Sequence, residues 1–447
     1  MSFFKAYDMR GTFGVDFDAA KVYRIGRALP QAVPGRKWLV GMDCRLTGEA
    51  VKAALVKGLA DSGMDVTDIG LCTTPMIYFF TARDGYDGSV MVTASHNPPA
   101  DNGLKVSKRD ALPVGYADGL DKVEKLVAAV ECGPAVPGGR VTKQDGRLAE
   151  YLAWQKKATP RDAYASLKIA VDCSCGMASL FAEEMFPGAM LLNAGMDGSF
   201  KAHSPNPLLP EARIQLAKAV RENALDLGVI FDGDADRAMF VNERGEFVQP
   251  DYLIPVVASA SGVRPGEKVI HDVRTSRGAT EALKEMGVVP VMVPVGHAFA
   301  KPILRSTGAI CGGELAGHYY FREFSACDSG LLAATRILAQ AAKAKANGLT
   351  FSEMMRPILS RYANSGEINF RTEDKAAAIT RALEAAKTFL PADFTLSRMD
   401  GIRIDCEDGW FNIRQSNTEP YLRLIAECRD KTKLENWLGV LKKAIEG

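Results

Sequence analysis

The chain has 447 residues, 47% of them apolar, which is enough for two to four domains with a sizeable buried core. Its 55 basic and 54 acidic residues leave a formal net charge of +1 and form no long Lys/Arg block, which argues against a nucleic-acid face. Nine scattered cysteines without a CxxC pair argue against a disulfide framework or a zinc site; with no signal-peptide core in MSFFKAYDMRG and no apolar run of membrane-spanning length, the expected setting is the reducing cytoplasm.

In chain order, Tyr7-Asp8-Met9-Arg10-Gly11 reads as a turn ahead of any regular element, and Arg10 carries no weight by itself. Residues 38–43 predict a strand, 49–62 a helix closed by Gly63, 65–69 a strand and 74–82 a helix. The apolar run 88–92 predicts a buried strand ending in a polar loop with Ser95, His96, Asn97 and Pro98. Asn102-Gly103 predicts a turn, after which Lys105 returns a cation. A hydroxyl beside an imidazole and near an ammonium, at a strand end, fits a nucleophile or phosphoryl carrier. Taken alone, it fits an ordinary surface turn better. Residues 116–130 predict a helix, and the Gly/Pro-rich stretch 133–139 leads towards a domain boundary.

The second unit predicts a helix at 148–158 and strands at 167–172 and 190–193. A proline-rich loop at 204–211 and a helix at 211–223 follow. Its strand at 227–231 ends in Asp232-Gly233-Asp234-Ala235-Asp236-Arg237, before a hairpin at 238–248. The third unit predicts strands at 268–272, 288–293 and 309–311 and helices at 252–261, 276–286, 299–306 and 329–346. Its last strand runs into Gly312-Gly313-Glu314-Leu315-Ala316-Gly317-His318. Strands alternating with helices imply parallel sheets, whose ligands bind beyond the carboxyl ends of the strands. From about residue 366 the pattern changes to strands at 368–370, 401–404, 410–413 and 421–427 with helices at 374–389 and 433–445, a small α+β domain. The expected divisions are 1–145, 146–250, 251–362 and 363–447.

Three carboxylates at i, i+2 and i+4, Asp232, Asp234 and Asp236, repel one another unless a cation sits among them, and hard oxygen ligands favour Mg²⁺ over Zn²⁺. An EF-hand is the competing reading, because Glu243 falls at the twelfth place. The sixth place is Arg237 where a calcium loop needs glycine, and a strand precedes the loop. Arg414, Ser416, Asn417 and Thr418, with Arg423 beyond the loop, can surround a phosphate without transferring it, though alone they fit a plain β-turn. Glu314 can accept hydrogen bonds from sugar hydroxyls, and His318 can assist proton transfer or hold phosphate. Arg274 and His297 end neighbouring strands and add positive charge.

TASHNP at 93–98, NGLK at 102–105, DGDADR at 232–237, GELAGH at 313–318 and RQSNTEP at 414–420 occur in one order across essentially the whole chain. This set resembles the α-D-phosphohexomutase superfamily. SNTEP, Gly-His-Ala-Phe at 296–299 and the Tyr-Tyr-Phe after His318 resemble its bacterial phosphomannomutase branch. The resemblance implies an α/β fold: three related mixed α/β domains plus a C-terminal α+β domain around a central cleft. It implies that Ser95 carries the phosphoryl group and that Asp232, Asp234, Asp236 and a phosphoserine oxygen bind Mg²⁺. Lys105 and His96 would lie beside the transferring phosphoryl, Lys105 as candidate acid/base, with Arg10 and Arg237 in support. Glu314 would hold the sugar, Arg274, His297 and His318 would line the cleft, and the C-terminal loop would grip the other phosphate.

The implied reaction interconverts mannose 6-phosphate and mannose 1-phosphate through a hexose 1,6-bisphosphate, extending to glucose phosphates. The implied partners are hexose phosphates, not nucleic acid or membrane, for a monomer or homodimer. A phosphoglucomutase, a phosphoglucosamine mutase, a Mg²⁺-dependent sugar phosphatase and a non-catalytic sugar-phosphate sensor remain the alternatives. Three departures from the resemblance bear on sugar choice: Ala316 where serine is usual, Pro-Val-Gly before His297 where Thr-Gly is common, and Arg274 where lysine is frequent.

Overall fold

The computed structural model describes residues 3–129, 133–416 and 421–447. Four sheets follow one another along the chain. The first three share one core topology. A central strand (Lys37–Met42, Ile169–Asp172 or Lys268–Asp272) lies between two parallel neighbours. These are Asp65–Leu71 and Gly88–Val92, Met190–Leu192 and Leu227–Phe231, or Val289–Val293 and Cys311–Gly313. An antiparallel fourth strand then folds back on the third: Asp101–Lys108, Ala238–Asn242 or Tyr319–Phe321. In each sheet a polar loop joins the third strand to the fourth. The loops carry Ser95, Asp232–Arg237 and Glu314–His318, so the three chemical segments hold one topological position.

The fourth sheet is wholly antiparallel. Tyr421–Cys428 is flanked by Gly409–Gln415 on one side and by Ala363–Asn364 and Ile368–Arg371 on the other. Helices Lys375–Ala386 and Lys431–Glu446 pack with one another and cover an apolar core confined to this sheet. The largest core, by contrast, runs through the first three sheets and includes Leu39, Met91, Val171, Phe231, Val269 and Cys311. Phe79 of the first unit stacks on Phe324 of the third at 6.0 Å, and the helix Gly330–Ala346 has thirteen buried residues. Three units are therefore welded by apolar burial. The fourth joins the third through a small cluster of Leu315, Trp410 and Ile425 and through polar contacts. Chief among these is the buried Glu427, which accepts from Ser276 Oγ, Arg277 N–H and Trp410 Nε1.

Several expectations need correction. Asn102-Gly103 is not a turn; it lies inside Asp101–Lys108, opposite the strand Met9–Thr12, with Gly103 paired to Arg10. The glycine serves close approach, since a Cβ there would sit 2.2 Å from Met9 O. Arg10 accordingly stands in a strand rather than ahead of the first element. The helix His297–Thr307 starts two residues earlier than expected, and the strand Cys311–Gly313 two residues later. The helices Ala19–Ala32 and Phe351–Leu359, not among the expected elements, carry Pro30 and Pro357 inside them. Among the described residues no helix is long and apolar enough to cross a membrane, and every described cysteine is unpaired.

Candidate active site

The three loops reach left-handed backbone at one residue each: Ser95 at φ 53°, Ala235 at φ 59° and Gly317 at φ 87°. Only the glycine adopts this freely. Ser95 and Ala235 are each strained by about 1–2 kcal/mol, an amount their surroundings must hold in place. The loops also bind one another. Gly233 lies so close to the first loop that a Cβ would meet Ser95 O at 2.5 Å, and Arg237 and His318 form a β-bridge.

At this junction Asp232, Asp234 and Asp236 are fully buried, and their ligand atoms lie within 4.8 Å of one another. Ser95 Oγ donates to Asp232 Oδ2 at 3.1 Å, across 137 residues of chain. Lys105 Nζ reaches Asp234 Oδ2 at 2.7 Å and Asp236 Oδ2 at 2.6 Å. Arg237 Nε donates to Asp232 Oδ2 at 2.8 Å, and Thr74 Oγ1 donates to Asp234 Oδ2 at 2.6 Å. Asp234 Oδ1 and Asp236 Oδ1 are buried yet accept no hydrogen bond from any described residue. Buried acceptors in this state are costly unless a cation meets them, so the donor set fits a hard divalent ion.

The charges divide the site. Burial opposes ionisation of Asp234, but the Lys105 ammonium and the Thr74 hydroxyl outweigh it and hold the carboxyl below the usual range. Burial also works against the charge on Lys105, yet Asp234 and Asp236 raise its pKa, so Lys105 is a fixed cation here. His96 Nδ1 lies 3.4 Å from Ser95 Oγ. Burial, helped by Arg237 and Arg10, pushes this imidazole well below its ordinary value and keeps it neutral. Arg10 pairs with Asp8 at 2.7 Å and donates to Asn97 Oδ1 and Ala94 O, holding the Ser95 loop from one side.

The third loop continues the site. His318 Nδ1 lies 2.7 Å from Asp328 and 3.8 Å from Asp236; burial opposes its charge, but these carboxylates outweigh it and raise its pKa. Glu314 Oε1 accepts from Tyr320 OH at 2.7 Å and from Gly296 N–H at 3.3 Å, and burial pushes its carboxyl upward. His297 lies 6.3 Å from His318, ring to ring, with both its nitrogens buried and unpaired among the described residues. Further along, Glu367 faces three arginines: Arg274 at 3.3 Å, Arg414 at 3.4 Å and Arg423 at 3.0 Å. Arg274 also pairs with Asp272 at 2.6 Å, and the same carboxylate accepts the Leu315 N–H beside Glu314. Ser416 donates its N–H to Tyr421 O at the end of this cluster. Asn417 and Thr418 lie outside the described residues.

Comparison with known proteins covers most of the chain. Residues 1–132, 149–245 and 249–362 match the phosphoglucomutase/phosphomannomutase alpha/beta/alpha domains I, II and III, and residues 367–441 match the C-terminal domain of that family. A phosphomannomutase of Salmonella montevideo is 38% identical over 443 residues, covering 95% of this chain and 94% of that one. The chain belongs to the phosphoglucomutase/phosphomannomutase family. Phosphohexose mutases of Xanthomonas campestris pv. campestris are 37% identical over 451 residues, 99% of each chain. A solved phosphoglucomutase/phosphomannomutase family protein from Burkholderia thailandensis superposes with a TM-score of 0.81 at 28% identity, over 99% of this chain and 97% of that one.

This phosphohexomutase family member is thus an enzyme of the isomerase class, an intramolecular phosphotransferase, with the four-domain α/β architecture of its relatives. Several residues around its site escape motif reading. Thr74 touches a carboxylate of the Asp232–Asp236 loop, Glu367 faces the arginines, and Asp43 with Arg45 underlies the Ser95 loop. Only the Asp43–Arg45 pair has a faint signal: an apolar run ending in Asp-x-Arg or Asp-x-Ser recurs at VGMDCR, IAVDCS and VIHDVR. Glu367 has none, since its partners lie 47 to 93 residues away.

Proposed function

We propose that this enzyme interconverts mannose 6-phosphate and mannose 1-phosphate, with glucose phosphates as further substrates, through a phosphorylated Ser95 and a hexose 1,6-bisphosphate. The observation that carries the reading is the separation of two anion-handling groups. Ser95 Oγ sits against the carboxylate loop, while Arg274, Arg414 and Arg423 gather elsewhere around Glu367. A mutase needs both, because its intermediate carries a phosphate at each end and must be gripped in either orientation. A phosphatase needs only one.

In this reading Asp232, Asp234 and Asp236, with a phosphoserine oxygen, would hold Mg²⁺, which would supply positive charge to offset that of the transferring phosphoryl group. His96, a neutral imidazole with Nδ1 3.4 Å from Ser95 Oγ, would lie beside the transferring phosphoryl group. Lys105 is the candidate acid/base, and as a cation paired with Asp234 and Asp236 it adds counter-charge beside the transferring phosphoryl group. Arg237 and Arg10 hold the carboxylate loop and the Ser95 loop in place. Glu314, with His297 and His318 beside it, faces the sugar, and the arginine group with Ser416, Asn417 and Thr418 holds the non-reacting phosphate. The separate core of the fourth domain and its polar junction suit closure over the substrate, which keeps water from the phosphoserine. The described cysteines, all unpaired, agree with a reducing cytoplasmic setting.

A coupled assay on mannose 1-phosphate, glucose 1-phosphate and glucosamine 1-phosphate, with Mg²⁺ and a trace of hexose 1,6-bisphosphate, tests the reading. The expected result is highest kcat/KM on the mannose substrate, loss of nearly all turnover in Ser95→Ala, and no release of free phosphate. Stoichiometric phosphate release, or wild-type turnover by Ser95→Ala, overturns it.

A further inference from the structure

The central strand of each of the first three sheets leads into an aspartate that accepts the N–H two residues on. Asp43 Oδ1 takes Arg45 N–H at 3.0 Å, Asp172 Oδ1 takes Ser174 N–H at 2.8 Å, and Asp272 Oδ1 takes Arg274 N–H at 2.7 Å. The turn is repeated, but its third residue is put to different uses. In the third unit Arg274 faces Glu367. In the first, Arg45 is turned into the protein, and its side chain is fully buried.

Its guanidinium gathers four carbonyls of the Ser95 loop. Arg45 NH1 donates to Pro98 O at 2.7 Å and Asp101 O at 2.8 Å, and NH2 donates to Ser95 O at 3.0 Å and Asn97 O at 2.7 Å. The Asp43 carboxylate, 3.3 Å from Arg45 Nε, supplies the counter-charge. It also accepts Thr93 Oγ1 at 2.5 Å, and Thr93 Oγ1 in turn accepts Ser95 N–H at 2.8 Å. Both peptide groups of Ser95 are therefore tied to the Asp43–Arg45 pair.

The second unit closes over this assembly. A Cβ on Gly198 would lie 2.2 Å from Cys44 O and 2.8 Å from Arg45 Cα, and the Phe200 ring lies 5.1 Å from the guanidinium. From the same unit, Gly233 abuts Ser95 O. The Ser95 carbonyl is pinched between Arg45 and the loop that carries the three aspartates.

We propose that Arg45 is a positioning residue for phosphoryl transfer: by binding the carbonyls of the loop it sets Ser95 Oγ against Asp232 and its neighbours, without touching substrate. The inference rests on Ser95 being the phosphoryl carrier. The geometry needs arginine, whose planar fork offers five donors in fixed directions; a lysine ammonium is a point charge that cannot span four carbonyls. Ser95 is held at φ 53°, so an unheld loop relaxes towards ordinary backbone and moves the hydroxyl. A displacement of about 1 Å costs on the order of 100-fold in rate.

The test compares Arg45→Lys, Arg45→Met, Gly198→Ala and Ser95→Ala in the full-length enzyme. Three readouts are taken: kcat and KM for hexose 1-phosphate, the rate at which intact protein gains a phosphate from hexose 1,6-bisphosphate by mass spectrometry, and the melting temperature. The expected result for Arg45→Lys and Arg45→Met is a fall in kcat and in phosphate uptake of about 100-fold, with KM within about twofold. If neither Arg45 variant folds, Gly198→Ala carries the test, since its methyl group pushes the same turn from the opposite unit; kcat again falls and KM holds. Wild-type kcat in a folded variant overturns the inference, and so does a loss of KM and kcat together. Turnover retained by Ser95→Ala instead overturns the carrier assignment, whatever Arg45 does.

Discussion

Lys105 Nζ lies 2.6 Å from Asp236 Oδ2, reaching from a strand of the first sheet to a loop of the second unit. The ammonium is the counter-ion of a carboxylate group that would otherwise repel itself apart. Removing one partner of a buried ion pair costs about 3–5 kcal/mol when nothing replaces it.

For Lys105→Met the expected outcome is a lower melting temperature without metal, largely restored by Mg²⁺, and a Mg²⁺ affinity raised at least about threefold. Turnover falls at the same time, because the fixed cation beside the phosphoryl group is lost. Calorimetric titration with Mg²⁺ checks the affinity. A weaker Mg²⁺ affinity would show that Lys105 organises the carboxylates rather than competing with a metal for them.

Thr74 crosses from the first unit to donate to Asp234 at 2.6 Å, and it is fully buried. Groups that orient a metal-binding carboxylate typically contribute about 10–100-fold to metal affinity. Thr74→Val keeps the shape and deletes the donor, so its Mn²⁺ dissociation constant rises by about tenfold in an electron-spin titration. An unchanged constant would mean that Asp234 is held by Lys105 alone.

Glu367 stands among Arg274, Arg414 and Arg423, and although burial opposes its ionisation, these arginines hold its carboxyl below the usual range. Glu367→Gln leaves the guanidinium group without this carboxylate. The variant is expected to lose about 2–3 kcal/mol of stability in anion-free buffer and to regain most of it when inorganic phosphate is added. It also binds phosphate at least about threefold more tightly than the parent enzyme. Denaturant melts with and without phosphate check both. Stability loss that phosphate does not repair would show that Glu367 serves the junction between the third and fourth units and not anion binding.

His203 pairs with Asp172 at 3.2 Å at the end of the central strand of the second sheet. Burial opposes charge on this imidazole, but the hydrogen bond and charge of Asp172 outweigh it and raise its pKa. The stabilisation from this pair is therefore complete below the unfolded value of about 6.5 and is lost as pH rises through the higher folded value. The melting-temperature gap between the parent and His203→Gln is expected to be wider at about pH 5.5 than at about pH 8.5. A gap that widens with rising pH would contradict the assigned sign.

Much of this molecule can be read from its local patterns. An apolar run closed by Asp-Gly-Asp-Ala-Asp-Arg needs no distant partner to declare a strand end and a cation site, whereas the Ser95 and Glu314 loops declare only a strand end until the motifs are taken together. Local reading fails where a residue's job is set by contact. Gly103 follows asparagine and mimics a turn, yet it is a glycine because Met9 O comes within 2.2 Å of where a Cβ would lie. Arg10 looks idle until the Met9–Thr12 strand brings it to Asn97 across 87 residues.

The amino-acid sequence by itself determined the alternation of elements and the three polar loops at strand ends. These depend on short-range periodicity and side-chain chemistry. Arg414, expected in a loop, stands in the strand Gly409–Gln415. Only the tertiary structure decided that Ser95 faces Asp232, that Lys105 neutralises Asp234 and Asp236, that Arg45 grips four loop carbonyls and that Glu367 sits among three arginines. The reason is physical. In each of these pairings the partners lie about fifty or more residues apart, and they meet only after the common core of the first three sheets, and the docking of the fourth against the third, have closed the intervening chain.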